Sequence, residues 1–439
     1  MNMSEQMTSY FKGNDIPNYD FIANCMHCGL CLPHCPTYSI TGLERSSPRG
    51  RIRMIKSVAD GDLPVSNLFV QEMNFCLDCQ ACETACPAGV KYGSLVESAR
   101  AQILEGGYEG RISTWIKRFF FRFIFVRASR LLAVSRILRL YQLSGLNRLV
   151  ETSGVLKVFS RRLHQVQFLS PTISKTPSSK LLFDRTLPVD KPRFKVGFLT
   201  GCIMDVAFAD VNIDTVRLLL HHGCEVVIPK GQVCCGSLQA HNGDIAIGRK
   251  MARSNVAAFE GEGLDAIIMN SSGCGAFMKE YGHILADDPE YADRAQRISE
   301  KVKDITEFLV EIGLVIGTSP DRQLMGKRVT YHDACHLVHT QKVSQQPRTL
   351  IRSVPFIEFV ELPESTWCCG SAGIYNITHY DEAWQLLKRK MDNMRKIDPE
   401  VLVSGNPGCL IQIQHGLLKE GLNVELLHTA TFLRRACGA

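Results

Sequence analysis

Cys25, Cys28, Cys31 and Cys35 are followed by Pro36, and Cys76, Cys79, Cys82 and Cys86 are followed by Pro87. Both stretches have the spacing C-x2-C-x2-C-x3-C-P. Three thiolates set this closely can wrap three corners of one cubane, while the proline turns the fourth cysteine away towards a second cluster. The spacing therefore predicts one 4Fe-4S cluster on Cys25, Cys28, Cys31 and Cys86, and another on Cys76, Cys79, Cys82 and Cys35. Structural zinc draws on pairs of cysteines or histidines and has no use for a triple spacing. Two clusters that exchange their fourth ligands must lie close together, and such a pair conducts electrons.

Eight more cysteines recur in the second half. Cys202, the pair Cys234 and Cys235, and Cys274 answer to Cys335, the pair Cys368 and Cys369, and Cys409, at offsets of 133, 134 and 135. Near-constant offsets over that span mean a duplicated domain. Each copy opens on an apolar strand, Val196 to Leu199 and Val329 to Tyr331, and contains a later one, Ala266 to Asn270 and Val401 to Ser404. Each later strand leads through a glycine to the last cysteine, where a helix begins. Such units gather ligands at the carboxyl ends of their strands. Adjacent thiolates converge poorly on a regular cubane, so each quartet reads as an additional, irregular iron-sulfur cluster, as a redox-active thiol group, or as zinc. His332, His336 and His339 accompany the second copy and suit packing or hydrogen bonding around it. Cys224 and Cys437 lie outside both patterns and read as buried thiols.

These sites require a chain in four parts. Residues 1–110 form a helical, ferredoxin-like domain for two 4Fe-4S clusters, with a helix from Asn18 to Asn24, an amphipathic helix after Ser47-Pro48 and a closing helix over 93–105. Residues 111–193 form a basic helical arm and a linker rich in serine, proline and threonine. Two α/β domains follow, over 194–325 and 326–439, so the fold class is α+β with α/β repeats. The stretch 111–162 holds twelve Lys or Arg and one acid, Glu151, with Trp115 and five phenylalanines near its start. Charges interrupt it too often for a span. It suits an anionic membrane surface or an acidic partner, with contact centred on 111–150, or else an arm packed on its own protein. No nucleic-acid-binding fold accompanies the charge.

Eighteen cysteines in 439 residues, sixteen of them in these patterns, point to a reducing compartment. Residues 1–20 carry no apolar leader core, so the cytoplasm is expected. No G-x-G-x-x-G after a strand and no P-loop is found, so no flavin is expected on this chain.

The paired cluster motif, Ser47-Pro48-Arg49-Gly50-Arg51 and the two Cys-Cys-Gly domains together resemble the glycolate oxidase iron-sulfur subunit family, as do the stretches from Ser272 to Gly282 and from Cys368 to Gly373. The resemblance implies a subunit that takes electrons from a flavoprotein oxidising a 2-hydroxy acid and passes them towards membrane quinone, at the inner face of the membrane. Related subunits serve glycerol-3-phosphate and lactate dehydrogenases. Heterodisulfide reductase shares the Cys-Cys-Gly domain but closes each repeat with C-x2-C, whereas Phe277 and Gln412 stand at those positions here. That departure counts against direct disulfide chemistry.

Overall fold

The computed structural model describes residues 9–317 and 321–439; residues 1–8, which carry part of the leader reading, and 318–320 lie outside it. The chain divides into two compact units. One runs to Arg122 and takes in Ser237–Gly248, and the other holds Phe123–Gly236 and Arg249–Ala439.

The first unit is helical. Asn18 caps a helix over Tyr19–Ala23, its side chain accepting from the Asp20 amide at 2.9 Å. Ser47 caps Pro48–Ala59, accepting from Gly50 N at 3.1 Å with proline at the first helical position, where its missing N–H costs nothing. Ile52, Ile55 and Val58 share a face of that helix. They pack with Phe69 and Met73 of the helix Asn67–Phe75 and with Leu95, Val96 and Ala99 of Tyr92–Glu105. Each such buried side chain contributes about 1.5–3 kcal/mol. This core is the floor beneath both cysteine loops.

The second unit is built on two sheets. Strands β1 (Arg185–Thr186), β2 (Phe194–Phe198), β3 (Cys224–Val227), β4 (Ala266–Met269) and β5 (Val302–Asp304) lie in the order β1-β3-β2-β4-β5. Strands β6 (Arg328–Tyr331), β7 (Glu358–Phe359), β8 (Val401–Ser404) and β9 (Glu425–His428) lie in the order β7-β6-β8-β9. All pairings are parallel except β1 with β3. Without β1 the two orders coincide, which is the duplication expressed as topology. Helices begin at Ser272–Lys279 and Pro407–Glu420, directly after β4 and β8. One apolar cluster joins both sheets, with Val196, Phe198 and Ile268 beside Val329, Tyr331 and Val403.

The region read as a linker is tied down. Asp205 accepts from Ser178 Oγ at 2.7 Å, Ser179 N at 2.7 Å and Ser179 Oγ at 3.0 Å, and β1 extends the first sheet. The basic arm is a series of helices, chiefly Arg111–Arg118, Ala128–Leu143 and Leu146–Ser153. Part of it packs inward, through Ile124 and Leu131 against Val206. Ile137, Leu140, Leu143 and Leu149 remain exposed. Among the described residues no helix is long and apolar enough to cross a membrane.

Two buried histidines are held neutral. His428 Nε2 donates to Asn270 O at 2.7 Å and its Nδ1 accepts from Ala430 N at 3.1 Å; His222 donates to Leu218 O at 2.7 Å and accepts from Val315 N at 3.0 Å. Burial lowers both, His428 to about 4 from an ordinary 6.5. The unfolded chain therefore takes up these protons first as pH falls. Stability should be full above pH 7 and decline through the window from 6.5 towards 4, with His428 alone accounting for about 2 kcal/mol by pH 5. Denaturant titrations of the full chain against pH check this: His428→Asn should lower stability at pH 7 and flatten the slope, and an unchanged slope would count against it.

Candidate metal centres

In the first unit, Cys25, Cys28, Cys31 and Cys86 line one hollow, and Cys35, Cys76 and Cys79 line a second. Cys82 borders both. Five thiols line the first and four the second, enough in each for the four-thiolate donor set of a 4Fe-4S cluster. Burial pushes Cys25 and Cys31 above the ordinary thiol range, and pushes Cys82 well above it, with Cys79, Cys76 and Cys35 adding to the effect. Metal entering here must displace protons.

Arg51 compensates the second hollow. It is fully buried, donating from Nε to Glu72 O at 2.7 Å and from Nη1 to Thr37 Oγ1 at 3.1 Å, with Glu72 Oε2 3.5 Å from Nη2. Burial works against its charge, but Tyr92, Cys76, Cys35 and Glu72 more than reverse that and hold its pKa above the ordinary range. Thr37 Oγ1 lies 3.3 Å from Cys35 Sγ, and Tyr92 donates its hydroxyl to Cys76 Sγ at 3.4 Å. Arg49, by contrast, is only partly buried and pairs with Glu44 at 2.7 Å, while Arg53 faces solvent.

A network invisible in the motifs braces the loop between Cys76 and Cys79. His241 Nδ1 lies 2.5 Å from Glu97 Oε1 and 3.4 Å from Asp78 Oδ2. Arg100 donates to Cys76 O at 2.5 Å, Met73 O at 3.1 Å and His241 O at 2.8 Å. Burial opposes the His241 charge, but Glu97 and Asp78 restore it and hold the imidazole well above its ordinary range. The segment 237–248 approaches so closely that a Cβ on Gly243, at φ +91°, would sit 2.5 Å from Arg100 O. Only glycine fits there.

In the second unit the two quartets form at the carboxyl ends of the strands. Cys202 follows β2, Cys274 lies in the first turn after β4, and Cys409 lies in the first turn after β8. Cys202 and Cys234 sulfurs are 3.4 Å apart, and Cys235 bonds to both Cys234 and Cys274. Thiol donors on either side hold Cys234 well below the ordinary thiol range, while Cys202 and Cys235 are raised. In the second quartet Cys368 meets Cys335 and Cys369, and Cys369 meets Cys409. Here Cys369 is the thiol held low, by Cys368 and Cys409. None of the eighteen cysteines is in a disulfide. Four converging soft donors per site fit iron or another soft-liking metal.

The copies differ in what surrounds the sulfur. Tyr281 pins the first pair, its hydroxyl donating to Cys235 O at 2.6 Å, and Asn255 donates to Cys234 O at 3.2 Å. The second has His332 and Lys390 buried beside it. Burial, then the Lys390 charge, holds His332 below its ordinary range, and burial lowers Lys390 to about 8. Gly370, at φ +89°, tucks against the helix Tyr380–Ile397, where a Cβ would meet Ala383 O at 2.7 Å.

Comparison with known proteins agrees with this layout. The family described as "4Fe-4S dicluster domain" matches residues 22–90, "Glycolate oxidase iron-sulfur subunit, linker region" matches 113–169, and "Cysteine-rich domain" matches 196–279 and 329–414. The "Probable glycolate oxidase iron-sulfur subunit" of Bacillus subtilis (strain 168) is 40% identical over 95% of this chain and 94% of its own. The "Glycolate oxidase iron-sulfur subunit" of Escherichia coli (strain K12) is 32% identical over 93% and 94%. "Lactate utilization protein A" of Oceanobacillus iheyensis is 34% identical over 54% of this chain and 96% of its own. A dicluster domain and two cysteine-rich domains on one chain make iron-sulfur clusters its cofactors. With likeness running through the dicluster domain, the arm and both repeats, the chain belongs to the glycolate oxidase iron-sulfur subunit family.

Proposed function

We propose that this chain is the electron-transferring subunit of a flavin-dependent glycolate, or closely related 2-hydroxy acid, dehydrogenase, taking electrons from a flavoprotein subunit and passing them towards membrane quinone. The observation that carries the reading is the pair of thiol-lined hollows with Cys82 on the border of both. Bound clusters would supply one-electron carriers at adjacent positions. Removal of hydride from a hydroxy acid calls for a two-electron acceptor such as flavin, which is the partner's contribution.

In this reading Cys25, Cys28, Cys31 and Cys86 hold one cluster, and Cys76, Cys79, Cys82 and Cys35 hold the other. Arg51 offsets the charge of the second, while Thr37 and Tyr92 orient its sulfurs. Cys202, Cys234, Cys235 and Cys274, and likewise Cys335, Cys368, Cys369 and Cys409, hold further clusters. The basic arm supplies contact with an acidic partner or an anionic membrane surface through exposed Arg118, Arg127, Arg136 and Arg148. Other arginines of the arm are already engaged within the chain, among them Arg122 with Asp244 at 2.7 Å, Arg130 over the Phe123 ring at 3.7 Å and Arg139, which donates to Ile173 O at 2.6 Å. A lactate-type substrate is the second reading, favoured by the likeness to lactate utilization protein A over half of this chain.

Purified anaerobically, the chain should be brown, flavin-free and inactive with glycolate, and should support dye or quinone reduction only when flavoprotein partners are restored. Stoichiometric flavin on the lone chain, or turnover without partners, would defeat the assignment. Replacing Cys35 by Ser should remove the paramagnetic signal and the iron, about four atoms per chain, of the cluster on Cys76, Cys79 and Cys82, and spare the one on Cys25, Cys28 and Cys31. Loss of the latter with the former intact would reverse the pairing.

A further inference from the structure

The two quartets are copies in topology but not in donor count. At the end of β6, one residue beyond Tyr331, stands His332; its counterpart in the first copy, 133 positions earlier, is Leu199. Both are buried, at 0 % and 1 % exposure. His332 Nδ1 lies 3.1 Å from Ser365 O. A carbonyl oxygen can only accept, so Nδ1 carries the proton and Nε2 presents a lone pair. A ring nitrogen of His332 and the sulfurs of Cys369 and Cys409 all lie within 4.8 Å of one another, and Nε2, the nitrogen left over from the Ser365 contact, is fully buried with no hydrogen-bond partner meeting ordinary geometry. A ring nitrogen aimed at thiolates while the other donates to a backbone carbonyl is how metal-ligating histidines are oriented.

No competing donor occupies the place. Gln412, three residues after Cys409, is buried, and its Oε1 accepts from Asn376 Nδ2 at 2.9 Å. In the first copy the corresponding Phe277 has no donor atom at all and packs edge-on against Tyr281, with ring centroids 5.8 Å apart.

We propose that His332 Nε2 is a fifth ligand at the metal centre of the second quartet, which thereby takes a set of four sulfurs and one nitrogen, whereas the first quartet offers sulfur alone. The inference rests on the reading that the second quartet holds an iron-sulfur cluster. It makes the two centres chemically unequal, since a neutral imidazole places one ligand on the cluster that carries no negative charge.

The test uses the full chain, purified anaerobically with 14N- or 15N-labelled histidine and examined by pulsed paramagnetic resonance in oxidised and reduced states, with iron counted in parallel. A strongly coupled nitrogen that follows the histidine label is expected. It should vanish in His332→Leu, with the iron of one cluster lost. It should vanish also in His332→Cys with the iron retained, because a thiolate can take the position. A third variant, Cys409→Ser, reports on the underlying reading. If Cys409→Ser loses that iron while no labelled nitrogen couples in either state, the quartet holds its cluster without His332 and this inference alone falls. If Cys409→Ser loses no iron, the quartet holds no cluster and both fall together. Iron retention and an unchanged nitrogen coupling in His332→Leu would likewise overturn it.

Discussion

Anionic sulfur placed out of water is the constraint on which this architecture depends. Burial raises Cys25, Cys31 and Cys82, and neighbouring thiols add to it at Cys82. A thiolate in such a place requires compensation by cations, directed hydrogen bonds or bound metal. In the helical unit the guanidinium of Arg51, with no exposed surface and fixed by Glu72 and Thr37, compensates Cys35 and Cys76, and Arg49 lies beside Cys25 and Cys31. An isolated buried charge would be destabilising, and removing one partner of a buried pair costs about 3–5 kcal/mol. The helix Pro48–Ala59 that carries Arg51 is therefore tied to the cluster region as firmly as the cysteine loops themselves.

The α/β unit solves the same problem with backbone and geometry. Cys274 and Cys409 sit in first turns, where unpaired N–H groups and the helix dipole favour negative charge. In each quartet hydrogen bonds from neighbouring thiols hold one sulfur low, Cys234 in one copy and Cys369 in the other. The copies also hold each other in place. Ser272 donates to Gly405 O at 2.8 Å, and His428 donates to Asn270 O, so each copy supports the loop beyond the other's central strand. One apolar cluster spans both sheets, and the second copy adds a cluster of its own around Leu337, Leu387, Met391 and Ile413.

How much of this was legible in the sequence follows from the range over which each signal acts. Cysteine spacing is local, and the eight thiols it singles out line the two hollows, Cys82 lining both. Strand and helix starts were legible to within a residue or two, because the runs from Val196, Ala266, Val329 and Val401 are apolar and end at glycine or cysteine. The burial of Arg51 was not, since Arg49, Arg51 and Arg53 look alike until the packing of the helix decides which one points inward. The linker reading of 170–193 missed β1, because serine, proline and threonine signal turns, whereas it is Asp205, some 26 positions on, that collects the Ser178 and Ser179 donors. His241 carried no signal at all: its partners Asp78 and Glu97 stand more than 140 positions upstream.

That separation has a consequence for how the protein is made. The helical unit counts Ser237–Gly248 among its parts, so it is not finished when its first 122 residues have been synthesised. At about 5–20 residues per second, the stretch from Arg100 to Gly248 takes on the order of ten seconds to follow. Throughout that interval the loop between Cys76 and Cys79 lacks His241 beside Asp78 and Glu97, and has Arg100 to hold it. The brace on this loop is thus completed only by a segment arriving late from the translating ribosome. For the same reason the ferredoxin-like part cannot be cut out as a contiguous fragment without leaving one of its own braces behind.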